Sequence, residues 1–309
     1  VKTLSLTHAP SILPLYARAA APLIPGASLL PFVPGGGGEI PELELELTGA
    51  QADPDAVAAY AKVCGFALRD HLPPTYPHLL AFPLHMAVMA DGSFPFGAVG
   101  LVHVENRIVQ RRPIGVDEEL TIRVRPTKLQ PHPKGRTFTL ETEALVGDET
   151  AWESVSTMLR RGKTDPEAKA DSGDFEPLPA DAPASAEWRL GGDLGRRYAA
   201  VSGDRNPIHM HSLTAKPLGF PAAIAHGMWT KARCLAALES RLPDAFSVDV
   251  RFRKPILLPG RVDFAAAGEN GDADIVFAVR DAERQIPHLD GRVRPAGAKK
   301  AKTGGKKAR

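Results

Sequence analysis

The chain repeats itself. AYAKVCGF at 59–66 matches RYAAVSGD at 197–204, superposing Tyr60 on Tyr198, Val63 on Val201 and Gly65 on Gly203. TYPHLLAFPLHMAV (75–88) runs parallel to GFPAAIAHGMWTKA (219–232), and VQRRPIGVDEEL (109–120) to RFRKPILLPGRV (251–262). Each match is short, but their common order implies a duplicated unit. The 309 residues therefore divide into two halves of similar build, long enough together to bury a substantial core.

Each half has the same rhythm. A helix-like segment and a proline-rich loop come first, followed by a helix and then alternating strands. In the second half the helix is HGMWTKARCLAALESRL (226–242), with Met228, Trp229, Ala232, Leu235, Ala236 and Leu242 spaced for one buried face. FSVDVRFR (246–253), RVDFAAAG (261–268), ADIVFAVRD (273–281) and HLDGRVRP (288–295) then read as strands. Their first-half counterparts are LVHVENRIVQ, ELTIRVRP, RTFTLETEALVG and TAWESVSTMLRR. One helix followed by several antiparallel strands predicts an α+β unit, the helix packed on a curved sheet.

The expected organisation is an N-terminal extension over 1–45, a first unit over 46–161, a linker over 162–187, a second unit over 188–295 and a basic tail over 296–309. The linker is rich in Pro, Ala and acidic residues without a sustained period, which predicts an exposed connection. AKKAKTGGKKAR at the end lacks apolar periodicity and reads as a disordered, solvated tail.

Basic and acidic residues nearly balance, 38 against 36, so no global field points to nucleic acid or an acidic membrane. Cys64 and Cys234 stand far apart, with neither a disulfide framework nor a metal-ligand spacing. The proline-broken apolar start, with Arg18 inside it, predicts neither a signal peptide nor a membrane span. The expected setting is a soluble, reducing compartment, the cytoplasm.

The most chemically pointed stretch is YAAVSGDRNPIH (198–209). Asp204 and His209 form a carboxylate and imidazole pair suited to general acid-base work, and Pro207 and Asn206 suit a loop that holds both still. Gly227, in IAHGMW, falls at the start of the predicted helix, where free N–H groups favour developing negative charge and a missing Cβ allows close approach. Asp204 and Asn206 also suit a turn and helix cap, and His209 with His211 would be only half of a metal site. His226 reads as a histidine that orients the loop, and Tyr198, repeated at Tyr60, as a packing residue.

Taken with FPAAIAHGM (220–228), the stretch from Tyr198 to His209 resembles the signature of the MaoC-like (R)-specific enoyl-thioester hydratases and (3R)-hydroxyacyl-thioester dehydratases. That signature is an aromatic, small residues, S/G-G-D-x-N-P-[LIV]-H, then glycine-phenylalanine-proline and A-H-G-M. The two-half layout resembles actinobacterial double-hotdog members over about residues 40–295. The resemblance implies a double hotdog, each repeat a central helix wrapped by an antiparallel sheet. It makes Asp204 and His209 the catalytic pair, Asn206 the residue orienting them or the water, and Gly227 the oxyanion donor. Ser202 and Gly203 would shape the turn and, with His226, form the substrate-binding residues.

The first half departs from the pattern. Phe66 stands at the Asp204 position, Leu68 at the Asn206 position, and His71 aligns with His209 without its carboxylate. One catalytic half and one degenerate half packed against it, leaving room for an acyl chain, are the consequence. The expected reaction interconverts trans-2-enoyl and (3R)-hydroxyacyl thioesters of CoA or acyl carrier protein, in fatty-acid metabolism, without metal or redox cofactor. A non-catalytic acyl-thioester scaffold on the same fold is the alternative. The halves form a pseudo-dimer within one chain, and a homodimer of whole chains stays open.

Overall fold

The computed structural model describes residues 2–20, 38–98, 100–162, 167–168, 175–268 and 274–296. The first half runs β2 (Leu43–Ala50), α2 (Pro54–Cys64), α3 (Tyr76–Met89), β3 (Leu101–Gln110), β4 (Leu120–His132), β5 (Gly135–Val146) and β6 (Glu149–Arg161). The second runs β7 (Ala186–Leu190), α4 (Leu194–Ser202), the short helices α5 (Pro207–Met210) and α6 (Ser212–Ala215), α7 (Gly227–Ala237), β8 (Phe246–Phe252), β9 (Gly260–Ala267), β10 (Ile275–Asp281) and β11 (Pro287–Pro295). Ahead of both stand β1 (Lys2–Leu6) and α1 (Ile12–Ala20).

All eleven strands join one sheet in the order β1-β2-β4-β5-β6-β3-β8-β11-β10-β9-β7. Leaving out β1, the order reads the same from either end once each strand is exchanged for its counterpart, which is the duplicated unit expected from the repeat and the double hotdog that the resemblance implies. The halves meet where β3 pairs antiparallel with β8, Glu105 opposite Arg251 through Gln110 opposite Phe246. This seam makes the sheet continuous and leaves no open strand edge between the repeats.

Local chemistry explains the repeat. Asp53 caps α2 by accepting from the N–H groups of Asp55 and Ala56, and Pro54 opens the helix where a missing N–H costs nothing. Both α2 and α4 end on a glycine in the left-handed region, Gly65 at φ 87° and Gly203 at φ 76°, and each glycine N–H returns to a carbonyl four residues back. Tyr60 and Tyr198 are both buried, and their rings meet across the pseudo-twofold at 6.2 Å. α7 holds to the other half through Trp229 Nε1, which donates to the Val63 carbonyl at 3.0 Å.

Four expectations need correction or refinement. The predicted helix over 226–242 ends as α7 at Ala237, and a 3-10 turn over Glu239–Arg241 follows, stopped before Pro243 because a residue preceding proline is pushed out of the helical region. The first-half helix α3 begins at Tyr76, seven residues earlier than its match to 219–232 implies, so Pro83 lies inside it. The linker is not wholly exposed: Leu178 is buried with Ala265 and Ala278, and Arg280 donates to the carbonyls of Leu178, Pro179 and Ala180. The segment expected as an extension joins the fold, since β1 pairs parallel with β2 and α1 packs on α3. From residue 297 onward the basic tail lies outside the described residues.

Candidate active site

The turn from α4 into α5 builds the site. Gly203 lets the chain reverse at positive φ, and a Cβ there would come within 2.7 Å of Ile12 Cδ1. Ser202 Oγ accepts from the Asp204 N–H at 3.2 Å, so the turn is tied at its entry. Asp204 Oδ1 accepts from the Asn206 N–H at 3.1 Å, while Asn206 Oδ1 accepts from the Ile208 N–H at 3.4 Å and caps α5. Turn and cap roles are therefore present, but each uses one oxygen only and leaves Asp204 Oδ2 directed elsewhere.

α5 then brings His209 back beside Asp204. His209 Nδ1 lies 2.8 Å from the Ile224 carbonyl, which fixes the proton on that nitrogen and leaves Nε2 with its lone pair. His226, at the N-cap of α7, lies with Nε2 2.9 Å from the Asp204 carbonyl oxygen and donates to it. The rings of His209 and His226 stack, and His226 also packs on Tyr198 at 4.8 Å. His226 is thus a peg that holds the turn through its backbone.

Asp204, His209 and His226 offer atoms that all lie within 4.8 Å of one another. While His226 Nε2 donates to the Asp204 carbonyl, the lone pair of that imidazole sits on Nδ1, which has no hydrogen-bond partner among the described residues. His211 is no partner to His209, since its Nδ1 accepts from the Leu213 N–H and caps α6.

Burial pushes the His226 pKa down to about 3, with His209 adding to the effect and Asp204 opposing it. Burial also lowers the His209 pKa against the pull of Asp204 and the Ile224 carbonyl. Burial alone would favour a neutral Asp204, but the neighbouring His226 and His209, the Asn206 N–H and the Tyr16 hydroxyl outweigh it and hold the carboxyl below its ordinary range. At neutral pH the site therefore presents one carboxylate beside two neutral imidazoles, His209 with its lone pair on Nε2 and His226 with its lone pair on Nδ1.

Gly227 opens α7, so its N–H belongs to the first turn and has no acceptor one helical turn back. A Cβ on Gly227 would meet the Phe252 ring at 3.1 Å. Ser202, Asp204, Asn206, His209, His226 and Gly227 all line one cavity of about 1100 Å³. The first half supplies the opposite wall with Phe82, Met89 and Leu140, together with His78, His85 and His103.

The first half has no matching site. Phe66 is buried against Tyr60 at 6.4 Å, Leu68 is exposed, and His71 pairs by its backbone with Gly115 away from the cavity lining. Pro83, aligned with Gly227, has no N–H to offer. Sequence reasoning missed three features. Tyr16 donates to Asp204 Oδ1 at 3.1 Å. Lys231 is fully buried on α7. His78, His85 and His103 form a neighbouring cluster. The only early signals were polar residues in stretches otherwise read as apolar helix or strand.

A family model for the MaoC like domain matches residues 174–290. The 3-hydroxyacyl-thioester dehydratase X of Mycobacterium tuberculosis is 40% identical over 272 residues, which cover 87% of this chain and 94% of that protein. The crystal structure of HtdX from the same organism superposes with a TM-score of 0.72 at 39% identity, covering 82% of this chain and 99% of the other. A MaoC-like dehydratase from Phytophthora capsici shares the fold at TM-score 0.67 and 21% identity, over 82% of this chain and 94% of its own. With its turn, its histidine pair and its glycine helix start arranged as above, the chain belongs to the MaoC-like dehydratase family.

Proposed function

We propose that the protein is a hydro-lyase that interconverts (3R)-hydroxyacyl and trans-2-enoyl thioesters, with Asp204 and His209 as the catalytic pair. The observation that carries this reading is the approach of Asp204 and His209 to within 4.8 Å on the wall of a cavity that also contains Gly227. In the dehydration direction one member of the pair takes the C2 proton. Negative charge then moves to the thioester oxygen, where the Gly227 N–H receives it. The C3–O bond breaks, the proton taken from C2 is passed within the pair to the departing hydroxide, and water leaves with the pair returned to its starting protonation state. Because both groups stand on one side of the cavity, the proton and the hydroxyl depart from the same face. General acid-base help of this kind is worth about 10² to 10⁴-fold, and one oxyanion donor about 10² to 10³-fold.

Ser202 and Asn206 shape and cap the turn, and His226 keeps the Asp204 carbonyl in place. The acyl chain would extend toward Phe82, Met89 and Leu140 in the degenerate half. The thioester would arrive on CoA or an acyl carrier protein. Both carry phosphate on a pantetheine arm, and Lys128, Lys134 and Lys254 along the same cavity suit that charge.

The test is to mix the protein with a trans-2-enoyl-CoA and follow loss of the conjugated-thioester absorbance. Asp204→Asn and His209→Ala should each lower kcat by about 10² to 10⁴-fold. Turnover absent across short, medium and long chains, or full rate in both variants, overturns the assignment.

A further inference from the structure

The segment before the first repeat reaches the opposite half. β1 pairs with the outer edge of β2, from Lys2 opposite Leu43 to Leu6 opposite Leu47, and this ties it to the degenerate unit. α1 then crosses over α3, buries Leu15 and Ala19, and places Ile12 against the Gly203 turn of the other unit. One turn further on, the Tyr16 hydroxyl donates to Asp204 Oδ1 at 3.1 Å and accepts from the Arg205 N–H at 2.6 Å. The Gly203 carbonyl is a longer alternative acceptor at 3.4 Å. β1 and α1 both lie outside residues 174–290, where the domain model matches, while the turn they reach lies within it.

We propose that Tyr16 is a positioning residue for the reaction, its hydroxyl fixing the rotation of the Asp204 carboxylate so that the N-terminal segment completes the active site. The inference rests on the assignment of Asp204 above. Asp204 Oδ1 receives two hydrogen bonds, from the Tyr16 hydroxyl and the Asn206 N–H. A carboxylate held at one oxygen by two donors in different directions cannot swing about its Cβ–Cγ bond, so Oδ2 is kept toward the cavity. Tyr16 is not among the cavity-lining residues, so it acts from behind the carboxylate rather than on the substrate. The Arg205 N–H sharpens the hydroxyl as a donor, since accepting one hydrogen bond polarises the O–H that makes the next. Burial raises the tyrosine pKa, so the proton stays on the oxygen throughout the working range.

Asp204 is faced by titratable and charged groups from several elements. These are Tyr16 on α1, Tyr198 on α4, the adjoining Arg205, His209 on α5 and His226 at the start of α7, with His78 on α3 and His103 on β3 farther off. Of these, Tyr16 is the one side-chain hydroxyl bonded to the carboxylate among the described residues, so its removal should move the Asp204 titration specifically. Losing a donor to the ionised form raises a carboxylate pKa, and the acid limb of the rate profile then moves to higher pH.

The experiment compares wild type, Tyr16→Phe, Asp204→Asn and the double variant for kcat, KM and pH profile with one trans-2-enoyl-CoA, alongside thermal melts. Tyr16→Phe keeps the ring and the α1 packing. It should lower kcat roughly tenfold, leave KM within about twofold and move the acid limb up by about half to one pH unit. The double variant should fall no further than Asp204→Asn. Tyr16→Phe with wild-type kcat and an unmoved acid limb overturns the proposal, whether or not the melting temperature drops, while an inactive Asp204→Asn leaves the active-site assignment standing. An active Asp204→Asn overturns both.

Discussion

The rings of His209 and His226 lie face to face, 3.6 Å between centroids and 25° apart in plane. Each points one nitrogen at a backbone carbonyl, His209 at Ile224 and His226 at Asp204. Two imidazolium ions could not share this stack, because their charges would meet at van der Waals distance in a buried site. The same holds nearby for His78 and His85, whose centroids are 5.0 Å apart.

This arrangement predicts acid sensitivity. Burial brings His78 to about 4 and His103 and His226 to about 3, and it lowers His85 and His209 as well. An unfolded histidine titrates near 6.5. Between these values the unfolded chain binds more protons than the folded one, so stability is fully present above about pH 6.5 and is lost as pH falls toward 4. At about 1.4 kcal/mol per shifted pKa unit, the combined loss should be several kcal/mol. Urea unfolding at pH 7.5 and pH 5 reads it directly, and equal midpoints at the two values would contradict the neutral, buried histidines.

Asn206 offers a way to separate capping from catalysis. Asp and Asn cap helices about equally well, so Asn206→Asp should preserve the α5 start and change the melting temperature little. The added carboxylate sits two residues from Asp204 and, as a like charge, raises its pKa. The expected result is a kcat reduced at least about tenfold at pH 7, with part of the loss recovered at higher pH. Unchanged kcat at every pH would reduce Asn206 to a cap.

Lys231 should matter to stability. Its Nζ donates to Asn106 Oδ1 at 2.5 Å, to the Asn106 carbonyl at 3.2 Å and to the Val248 carbonyl at 3.1 Å, which ties α7 to both strands of the central seam. Asn106 in turn donates to Ser154 and Ser156, so the network continues into β6. Lys231→Met keeps much of the volume but strands buried acceptors, at a cost of about 2 to 4 kcal/mol. A denaturation midpoint equal to wild type would show that the network contributes nothing net.

What was legible in the sequence was whatever repeats or alternates. The second-half strands appear within two residues of their expected ends, because alternation has a period that a short window reveals. The site turn was legible because Gly203, Asp204, Asn206 and His209 act within one short segment. Tyr16 was not, since its partner lies 188 residues away and nothing in a proline-broken apolar stretch marks a hydroxyl aimed at a carboxylate. Lys231 stands three residues after Met228 and four before Leu235, on the face that the spacing marks as buried, but a lysine there gives no apolar signal. It is buried because the sheet seam presents carbonyls and an amide oxygen to it, a fact about β3 and β8 that the helix does not encode. The start of α3 does not follow from the parallel of 75–88 with 219–232, because Pro77 in the first turn and Thr75 at the N-cap set where that helix begins.

The degenerate half supports a last prediction. Phe66→Asp restores a carboxylate at the position matching Asp204, but three other parts are missing there. His71 is bridged to Gly115 outside the cavity, Leu68 cannot cap or orient, and Pro83 presents no N–H where Gly227 does. The substitution also removes a buried ring that packs on Tyr60, so it should cost about 3 to 5 kcal/mol or more. In an Asp204→Asn background, Phe66→Asp should therefore lower the urea midpoint and restore no enoyl-thioester hydration. Any regained turnover would mean that a carboxylate alone was what the first half had lost, and that the acid-base pair and the glycine helix start do not act as one unit.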